Sequence, residues 1–150
     1  MDIFVGVTLI DENERIYLIK EDDKNKIGKD RWNLPGGSVD IGENLIQAAT
    51  RETKEETGYD IEIASLLGCY QCKKMDKSWL YIVFAGKVKN HKIHPTDPGI
   101  IEGKWFEKEN FLHMDSSELV HPDMQLVYNI AIEKRGLLTE SIKYINYDIQ

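Results

Sequence analysis

The 150-residue sequence is poor in cysteine and proline and contains no long apolar segment. Its two cysteines are too few for a disulfide framework. No apolar run approaches the roughly 20 residues that a transmembrane helix requires. Residues 1–5 also lack the basic start and the small-residue cleavage site of a signal peptide. We therefore expect a cytoplasmic protein that makes no contact with a membrane.

Basic residues are in the minority as well. The sequence has 19 lysines and arginines against 26 aspartates and glutamates, which gives a formal net charge of -7. A protein that binds nucleic acid or an anionic membrane without specificity normally presents a basic face. The charge therefore argues against a nucleic-acid partner. With 41% hydrophobic residues, the whole range 1–150 is predicted to form a single globular domain.

The hydrophobic pattern predicts strands and helices without a regular alternation. Apolar, β-branched runs predict strands at 3–10, 15–20, 61–67, 79–88 and 100–106. Polar stretches predict a hairpin loop at 11–14 and a solvated loop at 21–30. Helices are predicted at 44–57 and 122–135, each followed by glycine, and the tail at 141–149 is predicted to be extended. We therefore expect an α+β fold with a mixed β-sheet.

The first predicted helix carries three carboxylates on one face near its C-terminal end. At about 100° per residue, Glu55 lies about 60° to one side of Glu52, and Glu56 lies about 40° to the other side. The helix dipole disfavours acidic groups there, and like charges four residues apart repel each other. Arg51 and Lys54 are poorly placed to compensate this charge within the helix. Either the face is simply solvated, or it binds a hard divalent cation, which prefers oxygen ligands.

A longer pattern of residues surrounds this helix. Seven positions follow one fixed spacing: Gly37, Glu43, Arg51, Glu52, Glu55, Glu56 and Gly58. The pattern resembles the signature of the Nudix hydrolase family, also called MutT-like, which is G-x5-E-x7-R-E-U-x-E-E-x-G-U with U a bulky apolar residue. Thr53 and Tyr59 depart mildly from the apolar positions. The preceding residues 32–36 are also similar to the usual lead-in of this family.

The resemblance implies a fold, a reaction and a set of site residues. The fold would be a Nudix-type α/β/α sandwich with a mixed β-sheet and a loop-helix-loop. The reaction would be hydrolysis of a pyrophosphate bond in a nucleoside diphosphate linked to another group, with Mg²⁺ or Mn²⁺ as cofactor. The implied metal ligands are the Gly36 carbonyl, Glu52, Glu55 and Glu56. The implied structural supports are Gly37, Glu43 and Arg51.

The general base is left open by the sequence. Glu52 is the first candidate on the helix, with Glu55 also in the catalytic set, and Glu102 is the candidate from a later loop. Glu102 has a second interpretation as an exposed strand acid.

The biochemical role also has an alternative, a non-catalytic Nudix-like sensor that binds a nucleotide and controls a partner. Three crowded carboxylates favour the enzyme, because a pure binder does not need them. The sequence assigns neither the substrate nucleotide nor the choice between monomer and homodimer.

A second group of residues has a spacing that superficially looks like a zinc site. It consists of Cys69 and Cys72 followed by His91 and His94. Because the two cysteines are three residues apart, they would face opposite sides of a strand. We therefore interpret them as packing or surface residues.

Several aromatic and histidine side chains have two interpretations. Trp32, Trp79 and Tyr81 are of the type that stacks on a nucleobase, although burial in strands or the lead-in is the simpler interpretation. His113 and His121 flank the entry to a predicted helix, and we expect them at the surface or near a helix cap.

Overall fold

The computed structural model describes residues 1–22, 30–90, 94–139 and 142. Within these residues the strands are β1 (Asp2–Ile10), β2 (Ile16–Glu21), β3 (Gly36–Ser38), β4 (Ile61–Lys74), β5 (Lys77–Val88) and β6 (Ile100–Phe106). The helices are α1 (Leu45–Thr57), α2 (Lys108–Leu112) and α3 (Met124–Ile132), with a short 3₁₀ turn at Ser116–Glu118.

The strands form one mixed sheet in the order β4-β5-β1-β2-β6, and β3 pairs separately with β1. β1 is antiparallel to both β2 and β3 but parallel to β5. The predicted hairpin of the first two strands is confirmed, with Leu9 opposite Tyr17. The mixed sheet confirms the predicted α+β class.

Helices cover both faces of the sheet, and each face has its own apolar cluster. On one face, Ala48 and Ala49 of α1 are fully buried against strand residues such as Val7. On the other face, Tyr128 of α3 is fully buried in a cluster that includes Val83. Burying each large apolar side chain contributes about 1.5–3 kcal/mol before entropy is counted. The resulting layers agree with the predicted α/β/α arrangement.

Both ends of α1 follow from local sequence signals. At the start, Asn44 and Gln47 form a capping box, in which each side chain accepts the backbone N–H of the other residue. At the end, Gly58 adopts the left-handed conformation with φ of 79°, and its N–H donates to the Lys54 carbonyl. The helix therefore ends directly after the carboxylate face.

Other elements differ from the expectations. The short elements β3 and α2 were not predicted, β4 continues to Lys74 instead of ending at residue 67, and α3 is shorter than 122–135. The 23–29 part of the predicted loop at 21–30 lies outside the described residues, as does the predicted extended tail at 141–149 except residue 142. No helix in the described part of the chain is long and apolar enough to cross a membrane.

Candidate active site

Two glycines of β3 allow its backbone to lie close to the C-terminal half of α1. Gly36 pairs with Gly6 of β1 and has φ of 156°, and a Cβ at Gly36 would lie 2.1 Å from the Val5 carbonyl oxygen. A Cβ at Gly37 would lie 2.5 Å from Cδ of Glu52. A side chain at either position would clash with these neighbours. Because both residues are glycines, the backbone of β3 can lie directly beside the Glu52 carboxylate.

Glu56 is the most buried of the three helix carboxylates, with 3% of its surface exposed. The Gly36 N–H donates to its Oε2 at 2.7 Å. Burial raises the pKa of Glu56 well above its ordinary value, the hydrogen bond from Gly36 lowers it in part, and three nearby charges raise it further: Glu21, Glu52 and Asp97. A carboxylate in this position is costly until a proton or a cation neutralises it.

Glu52 and Glu55 are less buried, with 14% and 44% of their side chains exposed. Arg51 Nη1 donates to Glu52 Oε1 at 2.8 Å and to Glu55 Oε2 at 3.4 Å. Burial raises the pKa of Glu52, and the hydrogen bond from Arg51 opposes that rise. The expectation that Arg51 compensates little of the helix charge was therefore wrong, because its side chain reaches both neighbours.

Arg51 also connects the helix to the preceding loop. Its Nε and Nη2 donate to the two carboxylate oxygens of Glu43 at 2.8 and 2.9 Å, and Nη2 also donates to the Ser38 carbonyl at 3.0 Å. The hydrogen bond from Arg51 is the largest cause of a lowered pKa at Glu43, and the same pairing raises the pKa of Arg51. This two-oxygen geometry holds the loop against the helix.

The loop before β6 brings a further carboxylate to α1. The backbone N–H groups of Thr96 and Asp97 donate to the Glu55 carbonyl at 2.9 and 3.0 Å, and Asp97 Oδ1 accepts the Gly99 N–H at 2.7 Å. The charge of Asp97 is close enough to Glu56 to raise its pKa. Sequence reasoning missed Asp97, although an aspartate two residues before glycine is a recognisable turn signal.

The structure does not bring Glu102 to this group. Its carboxylate lies 3.5 Å from Lys104 Nζ, and that ammonium lies over the rings of Trp32 and Phe106. Both rings belong to the apolar cluster beneath α3, on the other face of the sheet. Of the two interpretations of Glu102, this position therefore favours the exposed strand acid over the later-loop candidate for the general base.

In this structure, hydrogen-bond donors of the protein bind the helix carboxylates Glu52 and Glu56. Across the described ranges, no three His, Cys, Asp or Glu side chains are gathered closely enough to hold a metal ion in their present positions. Glu52 is bound to Arg51 and Glu56 to the Gly36 N–H. Their chemistry nevertheless fits a hard divalent cation, because the group offers only oxygen ligands and includes one buried carboxylate. A cation would therefore compete with Arg51 for Glu52.

The structure gives no support to a zinc site. Cys69 is exposed and Cys72 is half-buried, as expected for residues on opposite sides of β4, whereas His91 lies outside the described residues. His94 Nδ1 donates a hydrogen bond to the neighbouring Pro95 carbonyl at 3.0 Å.

A cavity lies between the sheet and α3, on the face opposite α1. It has a volume of about 30 Å³, and its lining includes Leu34, Tyr70, Cys72, Tyr81, His121 and Asp123. The His121 ring is stacked on the Tyr81 ring, with 4.6 Å between centroids and 22° between planes. His121 is partly buried just before α3, where its carbonyl accepts the Met124 N–H, and His113 is exposed, so both agree with the expected positions at the surface or near a helix cap.

The aromatic candidates have different environments. Trp32 and Tyr81 are buried, and Trp79 packs half-buried against the cluster beneath α3. Of these three, Tyr81 and not the tryptophans lies in the lining of the cavity. Packing therefore explains both tryptophans, whereas the buried Tyr81 also borders the cavity.

Comparison with known proteins assigns the class. The NUDIX domain family model matches residues 3–124. The chain therefore belongs to the Nudix family, whose members generally use divalent metal ions. The predicted membership in the family of MutT-like Nudix hydrolases is confirmed.

Individual relatives agree with this assignment. An RNA pyrophosphohydrolase of Novosphingobium aromaticivorans is 28% identical over 151 residues, which cover 87% of this chain and 89% of that protein. The chain spans less than half the length of several other curated relatives.

Solved structures show the same fold. A NUDIX hydrolase from Nitrosomonas europaea superimposes with a TM-score of 0.82 at 22% identity, and the match covers 99% of both chains. A MutT NUDIX hydrolase from Burkholderia pseudomallei has a TM-score of 0.70 at 25% identity, covering 85% of this chain and 95% of that one.

Proposed function

We propose that this chain hydrolyses a pyrophosphate bond in a nucleoside diphosphate linked to another group, with Mg²⁺ or Mn²⁺ as cofactor. The observation that carries the proposal is the buried Glu56 carboxylate, which is bonded to the Gly36 N–H close to Glu52. Crowded, buried carboxylates destabilise the fold, and cation binding offsets this cost. The proposed ligands are the Gly36 carbonyl, Glu52, Glu55 and Glu56.

Each residue of the site has a proposed task. A bound divalent cation supplies a water of lowered pKa and neutralises charge on the pyrophosphate. Glu52 is our first choice to accept the proton of the attacking water, and half-exposed Glu55 is the second. Gly36 and Gly37 carry no side chain, so the pyrophosphate can approach the backbone. Arg51 positions Glu52 through their hydrogen bond.

The substrate in this proposal is a small nucleotide. The net charge of -7 disfavours a long polyanion, which would be repelled along most of its length. Since one relative is an RNA pyrophosphohydrolase, a short RNA with a 5′-triphosphate belongs in any substrate panel.

The proposal is tested by turnover of a nucleotide panel with Mg²⁺ or Mn²⁺. The panel contains nucleoside triphosphates, their deoxy forms, ADP-ribose and the triphosphorylated RNA. Wild type is compared with Glu55→Gln and Glu56→Gln, and Glu62→Gln is the control because Glu62 is exposed on β4. We expect wild type and the control to cleave at least one substrate, and the two helix variants to lose that cleavage.

Two outcomes would contradict the proposal. If wild type binds nucleotides but cleaves none, the sensor function replaces the enzyme. If both helix variants cleave as fast as wild type, the assigned carboxylate roles are wrong.

A further inference from the structure

The outer strand β6 has an open edge on the side away from β2. β2 pairs with β6 along Ile100–Phe106, and β6 is the last strand in the order of the sheet. No strand or isolated bridge of the described residues pairs with its other side. The backbone N–H and C=O groups on that side can therefore pair with another strand.

The five residues at the centre of β6 are complementary to themselves when a second copy runs in the opposite direction. They are Ile101, Glu102, Gly103, Lys104 and Trp105. If Gly103 lies opposite Gly103 of the second copy, Glu102 of each copy lies opposite Lys104 of the other. The same register places Ile101, which is 53% exposed at the bulge of β6, opposite Trp105. Acidic residues thus meet basic ones, apolar residues meet apolar ones, and glycine lies at the symmetry axis.

The two charges distinguish this register from its neighbours. A strand that pairs with its own copy across a two-fold axis has one residue opposite itself. With Glu102 or Lys104 at that position, two like charges would be directly opposite each other, which is destabilising. Charged residues on an edge strand commonly prevent pairing. Here they leave the register centred on Gly103 favourable and so specify it.

The charged side chains are accessible to a second copy. Lys104 and Glu102 are 51% and 47% exposed, and their ion pair within the chain is 3.5 Å long. The Lys104 ammonium lies 4.9 Å from the ring centroids of both Trp32 and Phe106. Within the chain, Glu102 is also opposite Lys20 of β2. Pairing of two copies would therefore produce rows in which Lys20, Glu102 and the second copy's Lys104 alternate in charge.

We infer that β6 is an interface between two copies of this chain, which join their open edges antiparallel around Gly103 and continue the sheet from one copy into the other. The contact is two-fold and closed, so it forms a dimer and not a filament. One pair of strand edges buries less surface than a standard stable interface. We therefore expect a reversible dimer with a dissociation constant in the micromolar range.

The interface is tested by sedimentation equilibrium of the full chain at micromolar concentrations and low salt. Wild type should show a monomer–dimer equilibrium. Glu102→Lys and Lys104→Glu each place like charges opposite each other and should weaken dimerisation about tenfold. The control is Glu62→Lys, which changes the net charge as Glu102→Lys does but on an exposed position of β4. The control should dimerise like wild type.

Mixing the two variants tests the register. In an equimolar mixture of Glu102→Lys and Lys104→Glu, two positive side chains of one copy face two negative side chains of the other, so dimers should return to the wild-type level. The double variant with both exchanges should also dimerise like wild type. A folding defect in either single variant would not be repaired by mixing, and circular dichroism of each variant checks its fold.

Three results would overturn the inference. Wild type could remain monomeric at the highest soluble concentration, which would also be the result if another segment of the same chain covered the edge. Both single variants could dimerise as strongly as wild type, or the mixture of two folded variants could stay monomeric.

Discussion

Two glutamates of the same loop-helix segment lie in opposite environments. Glu43 receives two hydrogen bonds from Arg51, and this pairing keeps its pKa below the ordinary value. Glu56 receives one N–H from Gly36 and is buried, which keeps its pKa well above that value. Charge is compensated within the protein at Glu43 and left uncompensated at Glu56. The difference separates a structural brace from a buried group that either a proton or a bound cation would neutralise.

The largest expected effect comes from neutralising Glu56, whose charge the protein leaves uncompensated. Glu56→Gln should lower kcat/KM about a thousandfold, because a lost metal ligand removes several kcal/mol of transition-state stabilisation. Its thermal stability should not fall, since the amide oxygen still accepts the Gly36 N–H without a buried charge. Steady-state kinetics and calorimetric melting check the two parts.

Cation binding measured in the absence of substrate tests the role of Glu56 separately from catalysis. Mn²⁺ should raise the melting temperature of wild type and leave that of Glu56→Gln unchanged, because only a cation that binds the folded state stabilises it. An equal rise in both proteins would show that Glu56 does not bind the cation.

The next effect concerns the close approach of β3 to the helix. Gly37→Ala should lower kcat/KM about a hundredfold, because a Cβ 2.5 Å from Glu52 Cδ must displace that carboxylate. Gly42→Ala is the control, since no atom lies within 4 Å of its Cβ although its φ is 84°. The control should lose about 1 kcal/mol of stability and no activity. Full activity of Gly37→Ala would show that catalysis does not depend on the present position of the Glu52 carboxylate.

The sequence predicted those parts of the fold that depend on neighbouring residues. The capping residues Asn44 and Gly58 define α1 locally, and the hairpin of β1 and β2 follows from two apolar runs beside a short polar loop. β3 was missed because three residues rich in glycine pair only with a distant strand. The end of β4 was missed because its exposed, polar residues pair with β5 and not with a core.

The same division holds within the candidate site. Residue spacing placed Glu52 and Glu56 on one helix face, as the structure has them. It did not predict that Arg51 would reach Glu52 and Glu55, because a side chain's partners depend on how the loop folds back. The approach of Asp97 depends on backbone contacts between segments that are distant in the sequence.

A smaller effect is expected to distinguish Asp97 from Glu102, which both follow β5. Asp97→Asn should lower kcat/KM about tenfold, because one fewer negative charge near Glu56 weakens cation binding. Glu102→Gln should change it less than twofold, because its carboxylate pairs with Lys104 on the other face. The kinetics of both variants at several Mg²⁺ concentrations provide the measurement. The reverse order of effects would restore Glu102 as the later-loop acid.

The smallest effect is expected at Glu43, whose charge Arg51 compensates, and this effect depends on pH. Glu43→Gln should lower the free energy of unfolding by about 1 kcal/mol at pH 7. Because the folded pKa of Glu43 lies below the ordinary 4.5, its contribution is present above pH 4.5 and is lost as the pH falls through the folded value. Urea unfolding at pH 7 and pH 3 should therefore show the difference from wild type shrinking in acid. Glu62→Gln should show no such change.

The parallel pairing of β1 with β5 determines when the site is assembled during synthesis. These strands join residues from Asp2–Trp79 to Leu9–Gly86, so about half of the chain lies between the partners. Contacts over such separations form slowly, and a hairpin of two strands alone is only marginally stable. Gly36 reaches Glu56 from β3, and β3 is aligned by β1. We therefore expect a nascent chain to lack cation affinity until β5 has emerged from the ribosome.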